Sequence, residues 1–596
     1  MSINVSKIPT FATIPIPFTH DYKHLRALPF IGGAVIDIDN NGKPEIFIGG
    51  GALQGDGLFT YIDNSFINIY SESGITKKAG DATYGAAAID ADYNGFTDLF
   101  VARDSGLYFL RNQNGVFVSE KIDVAFDDNS VPTAIALGDI NLDGKVDLFI
   151  STNMHPKNYF KHRHAFNDTE YAATSLLLLN NGDNTFRDIT TAAGLRDKHN
   201  VLTASFVDLD NDNWPDLVIN QDAGQVLTYR NNHDLTFEQK PNPTQDFYGY
   251  PMGLALGDID NNGFVDILVT NIGTMSLPYL SRGDLRDSQS YHPQWVFLHN
   301  DGDFHFTNTA DALKLANYEF GWGAVMADFN SDSLQDIVVA SNYMSFPPHW
   351  AYKQPGRLLV QTDNDMFAAV EKAAGINNQR YGISPLIADV NADGYTDIIF
   401  LNFDGTSQAF INSGGFDSNQ ISLPIPTTPD YLNMRVMVEK NNGRIIHQQF
   451  LVNQGLTASQ AWTMNLGLGV QTAASRLEIT QTNGRVRSYE KPPINQYFAF
   501  AGTPVTVEER LIAPPPAQAP LPPRAFISGP SALEARKNIP VPPAKSVSPT
   551  NENPPTPEPV STPSAAPAAI IDAPPVLPAP LPASDLGTLP PEASAP

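Results

Sequence analysis

The residues with the most chemistry to offer are acids, and they come in sets. Asp139, Asn141, Asp143 and Asp147 stand at positions 1, 3, 5 and 9 of a nine-residue stretch, with Gly144 at position 6. Alternate side chains of a tight turn point to one side, so these oxygens converge, and Lys145 at position 7 offers its backbone carbonyl. A set of hard oxygen donors suits calcium, which takes six to eight of them at about 2.3–2.6 Å. The same pattern occurs six more times, written here with position 7 included. These sets are Asp37, Asp39, Asn41, Lys43, Glu45; Asp90, Asp92, Asn94, Phe96, Asp98; and Asp208, Asp210, Asp212, Trp214, Asp216. The rest are Asp258, Asp260, Asn262, Phe264, Asp266; Asp328, Asn330, Asp332, Leu334, Asp336; and Asp389, Asn391, Asp393, Tyr395, Asp397. First positions lie 53, 49, 69, 50, 70 and 61 residues apart, the length of one small supersecondary unit. The expectation is calcium in most of the loops, up to seven ions. Its role is structural, because clustered carboxylates repel one another until an ion joins them. All seven loops are alike, so none is singled out for catalysis. Glycine at position 6 gives way to Asn213 and Ser333, and the first loop closes on Glu45, so the first and sixth loops depart furthest.

Such loops must be held between strands. In one repeat, a small-residue run (Tyr84 to Ile89) precedes the loop and an apolar run (Asp98 to Ala102) follows it. A third run (Leu107 to Arg111), the turn Asn112-Gln113-Asn114-Gly115 and a fourth run (Val116 to Glu120) complete the unit. Short strands and Asn/Gly turns without helical periodicity indicate all-β structure. Four strands per unit and seven units predict a seven-bladed β-propeller. Phe11 to Thr19 falls where other repeats place an outer strand, so it is expected to complete the last blade; Pro15 and Pro17 suit an edge. Three insertions, Thr152–Thr174, Asn271–Gln294 and Asn342–Gly356, separate second from third strands. They are expected on the face away from the acidic loops. They carry a basic island (His155, Lys157, Lys161, His162, Arg163, His164), the charged stretch Arg282 to Asp287, and an aromatic run (Tyr343, Phe346, His349, Trp350, Tyr352). Read as a ligand face, His162, Arg163, His164 and Trp350 would meet a protein or glycan partner. Read plainly, the island is a solvated insertion and the aromatics pack their own loop.

The repeats resemble the FG-GAP (VCBS) repeats of integrin alpha-subunit propellers, and more closely the cartilage acidic protein and ASPIC/UnbV family. Leu176-Leu177-Leu178-Leu179-Asn180-Asn181-Gly182-Asp183-Asn184-Thr185-Phe186 and Ile189-Thr190-Thr191-Ala192-Ala193-Gly194-Leu195 carry the blade signature, echoed by Ala373-Ala374-Gly375-Ile376 and Ser73-Gly74-Ile75. From about Thr427 the pattern changes to alternating runs, Leu432–Lys440, Gly443–Val452 and Leu477–Gln481, which resemble that family's small β-domain. Asn465-Leu466-Gly467-Leu468-Gly469 stands where the family has a His-Phe-Gly-Leu-Gly-like motif, and Leu477-Glu478-Ile479 resembles its Leu-Glu-Val segment without the tryptophan that follows. The resulting organisation is a propeller over 1–425, an ASPIC/UnbV-like β domain over 426–510 and a Pro/Ala-rich tail over 511–596, expected to be a disordered tether.

Composition narrows the function. The chain of 596 residues carries a net charge of -27, which disfavours nucleic acid and other polyanions. Of its 64 acids, 22 lie in the seven loops. There is no cysteine, hence no disulfide and no thiolate site. No run of apolar residues is long enough to cross a membrane as a helix, and no signal peptide is visible at Met1 to Phe18. No nucleophile elbow, P-loop or dinucleotide fingerprint stands out. The first reading is therefore a non-enzymatic binding or adhesion scaffold, placed outside the cytoplasm because cytosolic calcium is too scarce for loops of modest affinity. The second is a polysaccharide-active enzyme, recognisable by acids converging outside the loops. The third is an assembly protein docked through its tail.

Overall fold

In the computed structural model the described residues are 7–21, 27–155, 172–274, 285–341, 354–362, 366–498 and the backbone of 506–509. Seven antiparallel sheets, blades I to VII, each take four strands from the repeats. The inner strands are Gly33–Ile36, Thr83–Ile89, Ser130–Gly138, Val201–Val207, Leu254–Gly257, Gly321–Ala327 and Gly382–Ala388. They pack side by side in chain order, and that of blade VII lies against that of blade I, so the circuit closes as a seven-bladed propeller. The second strands, such as Asp98–Arg103 (DLFVAR), are buried along their whole length, which is why they read as continuous apolar runs. Outer strands show one face to water, as in the alternating exposure of Val116–Lys121.

The ring is narrow at its axis. An added Cβ on Gly32 would lie 2.8 Å from the backbone of Gly85, one on Gly85 2.2 Å from the Thr133 carbonyl, and one on Gly253 2.3 Å from the Trp322 carbonyl. Five residues before each acidic loop the chain therefore keeps a small side chain or none. Neighbouring blades are also stitched at the rim. The Phe117 amide donates to Ser73 (2.7 Å), Phe237 to Ala193 (2.9 Å) and Phe367 to Leu313 (3.2 Å). The Ala-Ala-Gly-Leu signature is thus the connector that runs from one blade to dock on the outer strand of the next.

Closure mixes the termini as the sequence predicts. Phe11–Thr19 is the outer strand of the last blade, antiparallel to Thr406–Asn412, with Phe11 opposite Asn412. The insertions do leave between second and third strands. Residues 156–171, 275–284 and 342–353, and with them His162, Arg163, His164 and Trp350, lie outside the described residues, as does the tail from 510 onward.

Residues after the ring build two further sheets on top of it. Asn419–Pro424, on the propeller side of the boundary drawn at 425, pairs with Thr463–Gly469. Ile445–Gln449, Arg435–Lys440, Ala474–Thr480, Arg485–Glu490 and Thr506–Glu509 form the other sheet in that order. The stretch Phe450 to Trp462 between them leaves this cap and enters the propeller channel. There Leu254 and Gly455 exchange a pair of backbone bonds (3.0 and 2.9 Å), and Ala458–Ser459 runs parallel to Gly33–Ala34. The Gln454 side-chain oxygen accepts from the Leu256 and Met326 amides (3.0 and 3.1 Å), and that of Gln460 accepts from Ile387 (2.9 Å). Asn453 donates to Leu137 (3.0 Å), Thr457 to Ile31 (3.0 Å) and Trp462 to Ala88 (2.8 Å). Leu451 joins the apolar cluster that also holds Val207 and Leu209 of blade IV, and the plug's hydrogen bonds reach the other six blades. Inner strands present unpaired backbone groups to the axis, and the amide-rich plug satisfies them.

Candidate metal centres

All seven acidic loops connect an inner strand to a second strand, on the face covered by the cap, and all fold alike. Position 4 and position 6 both take the left-handed conformation: Asn40, Tyr93, Leu142, Asn211, Asn261, Ser331 and Ala392 at the first, Asn213 and Ser333 among glycines at the second. That double reversal turns the backbone amides of positions 5 and 6 onto the position-1 carboxylate. In the third loop Asp143 and Gly144 donate to Asp139 at 3.0 and 2.8 Å. In the sixth, Asp332 and Ser333 donate to Asp328 at 3.1 and 2.7 Å, so serine at position 6 keeps the turn. The position-5 oxygen accepts from the amide of position 7, as from Lys43 to Asn41 (2.7 Å) and from Leu334 to Asp332 (3.0 Å).

The position-9 acid faces inward between two strands. Asp98 accepts from the amides of Ala91 (3.0 Å) and Asn112 (2.7 Å), and Asp147, Asp216, Asp266 and Asp397 are held in the same way. Asn112 stands at the head of the Asn-Gly turn after the third strand, and its side chain does a second job. It donates to the Thr97 carbonyl (3.0 Å) and to Ile38 (2.9 Å), in the acidic loop of the preceding blade. Asn231, Asn300, Gln361 and Asn412 reach back in turn to Ile140, Leu209, Ile259 and Phe329. The sequence shows these residues only as turn formers; their recurrence beside each turn was the available signal. Loops also touch one another directly: Asn40 donates to the Gly95 carbonyl, Tyr93 to Gly144 and Asn211 to Gly263.

Carboxylate oxygens converge within 4.8 Å of one another in four loops, from Asp37, Asp39 and Glu45; Asp90, Asp92 and Asp98; Asp208, Asp210 and Asp216; and Asp258, Asp260 and Asp266. In the other three loops position 3 is Asn141, Asn330 or Asn391, and the third acid moves to position 5. Third-strand residues follow this split in blades II to VII, while in blade I the corresponding residue is Thr60. Arg111 pairs with Asp92 (2.6 Å), Arg230 with Asp210 (2.9 Å) and His299 with Asp260 (3.0 Å). Where position 3 is Asn, the corresponding residues are Leu179, Val360 and Ile411.

Burial, and then the charge of loop neighbours, raises the pKa of these acids. Glu45, Asp98, Asp139, Asp208, Asp258 and Asp266 are pushed up to about 7, and Asp328 to about 8. Asp147, Asp216, Asp336 and Asp397 are pushed well above the usual carboxylate range, chiefly by burial. Several buried carboxylates brought together at this cost are what a cation site needs: an oxygen-only donor set, pre-turned, whose charge the chain's own cations meet in part. The four convergent groups could hold metal ions.

The acidic-loop repeats of this propeller are FG-GAP-like. The FG-GAP-like repeat model matches residues 90–150 and 208–269, the second with third and the fourth with fifth loops. The chain resembles the cartilage acidic protein and ASPIC/UnbV family. It is similar to Cartilage acidic protein 1 of Mus musculus, 22% identical over 523 residues, covering 74% of this chain and 76% of that one. Among solved structures it is similar to BBS1N in its complex with ARL6DN (TM-score 0.40, 9% identity, 68% of this chain and 97% of that one). It is also similar to YCF48 bound to a D1 peptide (TM-score 0.37, 9% identity, 69% and 99%).

Proposed function

We propose that this protein is a calcium-stabilised propeller that acts outside the cytoplasm as a binding or adhesion scaffold for a protein or glycan partner. The observation that carries the reading is the convergence of carboxylates, the position-9 acid buried in each case, in pre-turned, oxygen-only loops. Calcium tolerates an irregular shell of about six to eight oxygens completed in part by water, whereas magnesium demands a rigid octahedron. A scaffold role is supported by what fills the molecule. The chain's own plug occupies the channel. The acids on the opposite face of blades I and II are each engaged: Asp56 by Arg103 (2.9 Å) and Lys77 (3.1 Å), Asp81 by Ser105 (2.7 Å) and Asp104 by Tyr84 (2.6 Å). They brace the blades and leave no free pair for general acid and base work there. The cap engages loops II and IV to VII, which favours the insertion face over the loop face for a partner. Among the described residues no helix is long and apolar enough to cross a membrane.

The test uses the full chain. Elemental analysis should find at least four calcium ions per molecule, and a glycan array together with a pull-down from extracellular extracts should give a calcium-dependent partner. Fewer than four ions would sink the calcium reading. Release of reducing ends from a polysaccharide by the purified protein would replace the scaffold with an enzyme.

A further inference from the structure

The two loops that lack glycine at position 6 are the two that receive a cation from the cap. Arg435 and Lys440 are the first and last residues of one cap strand. The Arg435 guanidinium donates to the side-chain oxygen of Asn213 and to the Asn211 carbonyl (3.0 Å), and lies 3.7 Å from Asp208. Lys440 donates to the Ser333 hydroxyl (2.8 Å). Between them, the partner strand Ile445–Gln449 lays the His447 amide on the Asn261 side chain of loop V (3.2 Å). The strand pair therefore spans three successive loops, and its second strand runs straight into the plug at Phe450.

We infer that Asn213 and Ser333 are docking residues for the cap, and that the Arg435–Lys440 strand is a clasp that holds the plug in the channel. A glycine at either position would suit the backbone better, because φ is 73° at Asn213 and 82° at Ser333. A side chain is kept there although the turn itself does not want one. The other five loops have glycine at position 6, and no cap cation bonds to that residue in any of them among the described contacts. The turn that presents the two side chains is pinned by the position-1 acids, Asp208 to the Asn213 amide (2.9 Å) and Asp328 to the Ser333 amide (2.7 Å). The clasp therefore hangs on the acid loops themselves, whichever cation fills them.

The inference inverts the usual expectation for glycine in a left-handed turn, and that makes it testable in the full-length protein at fixed calcium. The variants are N213G/S333G, R435M/K440M, the quadruple combination and, as control, G42N in loop I, where nothing lies within 4 Å of an added Cβ. Hydrogen exchange of residues 450–462 is followed by mass spectrometry. A charge-assisted bond lost at each end of the clasp should speed plug exchange by about tenfold or more in either double variant, with little further rise in the quadruple. G42N should leave the plug as in wild type. Unchanged plug exchange in N213G/S333G overturns the inference. So does an equal rise across all seven inner strands, which would mark general loosening, and so do independent, multiplying effects of the two pairs.

Discussion

At the scale of single residues, the acidic loops and the blade contacts are one hydrogen-bonded system. The position-9 acid binds the amide of the third-strand asparagine, and that asparagine's side chain bridges to the loop of the blade before it. Asn231 shows the cost of breaking this. It is 1% exposed and donates to Ile140 (3.0 Å) and Pro215 (3.2 Å). Asn231→Ala leaves two carbonyls without a partner in a buried seam, so stability in denaturant should fall by about 1–3 kcal/mol. A loss under about 0.5 kcal/mol, the range of ordinary surface changes, would mean the bridge is incidental. The side chains at positions 1, 3, 5 and 9 were legible from spacing because oxygen donors are recognisable by type. The left-handed residue at position 4 was not, since Tyr93, Leu142 and Ala392 carry no conformational signal; only the hydrogen bonds of the finished loop impose it. Asn213 and Ser333 read in sequence only as departures from glycine because their partners, Arg435 and Lys440, stand more than a hundred residues away.

At the scale of elements, strand type and order followed from pattern. Burial on both faces writes apolar second strands, and the crowded axis writes small residues into the first. Gly253→Ala probes that crowding. The new Cβ would meet the Trp322 carbonyl at 2.3 Å, backbone against backbone, with no flexible side chain to give way. Overpacking of this kind costs about 1–3 kcal/mol, and the melting midpoint should fall accordingly. The terminal strand makes the second probe. Residues 11–19 supply the whole outer edge of blade VII, including the buried Ile16 and Phe18. Removing residues 1–20 should open the ring and convert a single melting transition into a broad one at lower temperature. A sharp, unshifted transition would show that blade VII holds without it. The plug escaped the sequence reading. Its thirteen residues from Phe450 to Trp462 contain no charge, but nothing local says that their polar groups will meet the inner strands; that depends on a channel assembled from the rest of the chain.

At the scale of the molecule, the loops tie every blade to a charge that folding has buried. The sign of the pH effect follows from the raised carboxylates. In the unfolded chain they titrate near 4, and in the folded ring without an ion several titrate near 7 to 8. Protons therefore favour the ion-free fold. That contribution is present in full below about pH 4 and is lost as pH rises through about 7 to 8. A bound divalent cation reverses the balance, because it requires the deprotonated ligands and is joined more tightly as pH rises. With a chelator, the melting temperature should accordingly fall between pH 5 and pH 8. In saturating calcium it should hold or rise, and the gap between the two curves should widen with pH. Each site filled at a free ion concentration 100-fold above its Kd adds about 2.7 kcal/mol, so even a few sites outweigh most single substitutions. Magnesium should close the gap poorly. Adjacent loops share the Asn40–Gly95, Tyr93–Gly144 and Asn211–Gly263 bonds, so the loss on chelation should be cooperative, one transition and not several. Calorimetry at pH 5, 6.5 and 8, with calcium, magnesium or EGTA, measures all of this at once. Coincident curves with calcium and EGTA at pH 8 would mean that the carboxylates are balanced by the chain's own cations, Arg111 and Arg230 foremost, and not by a metal.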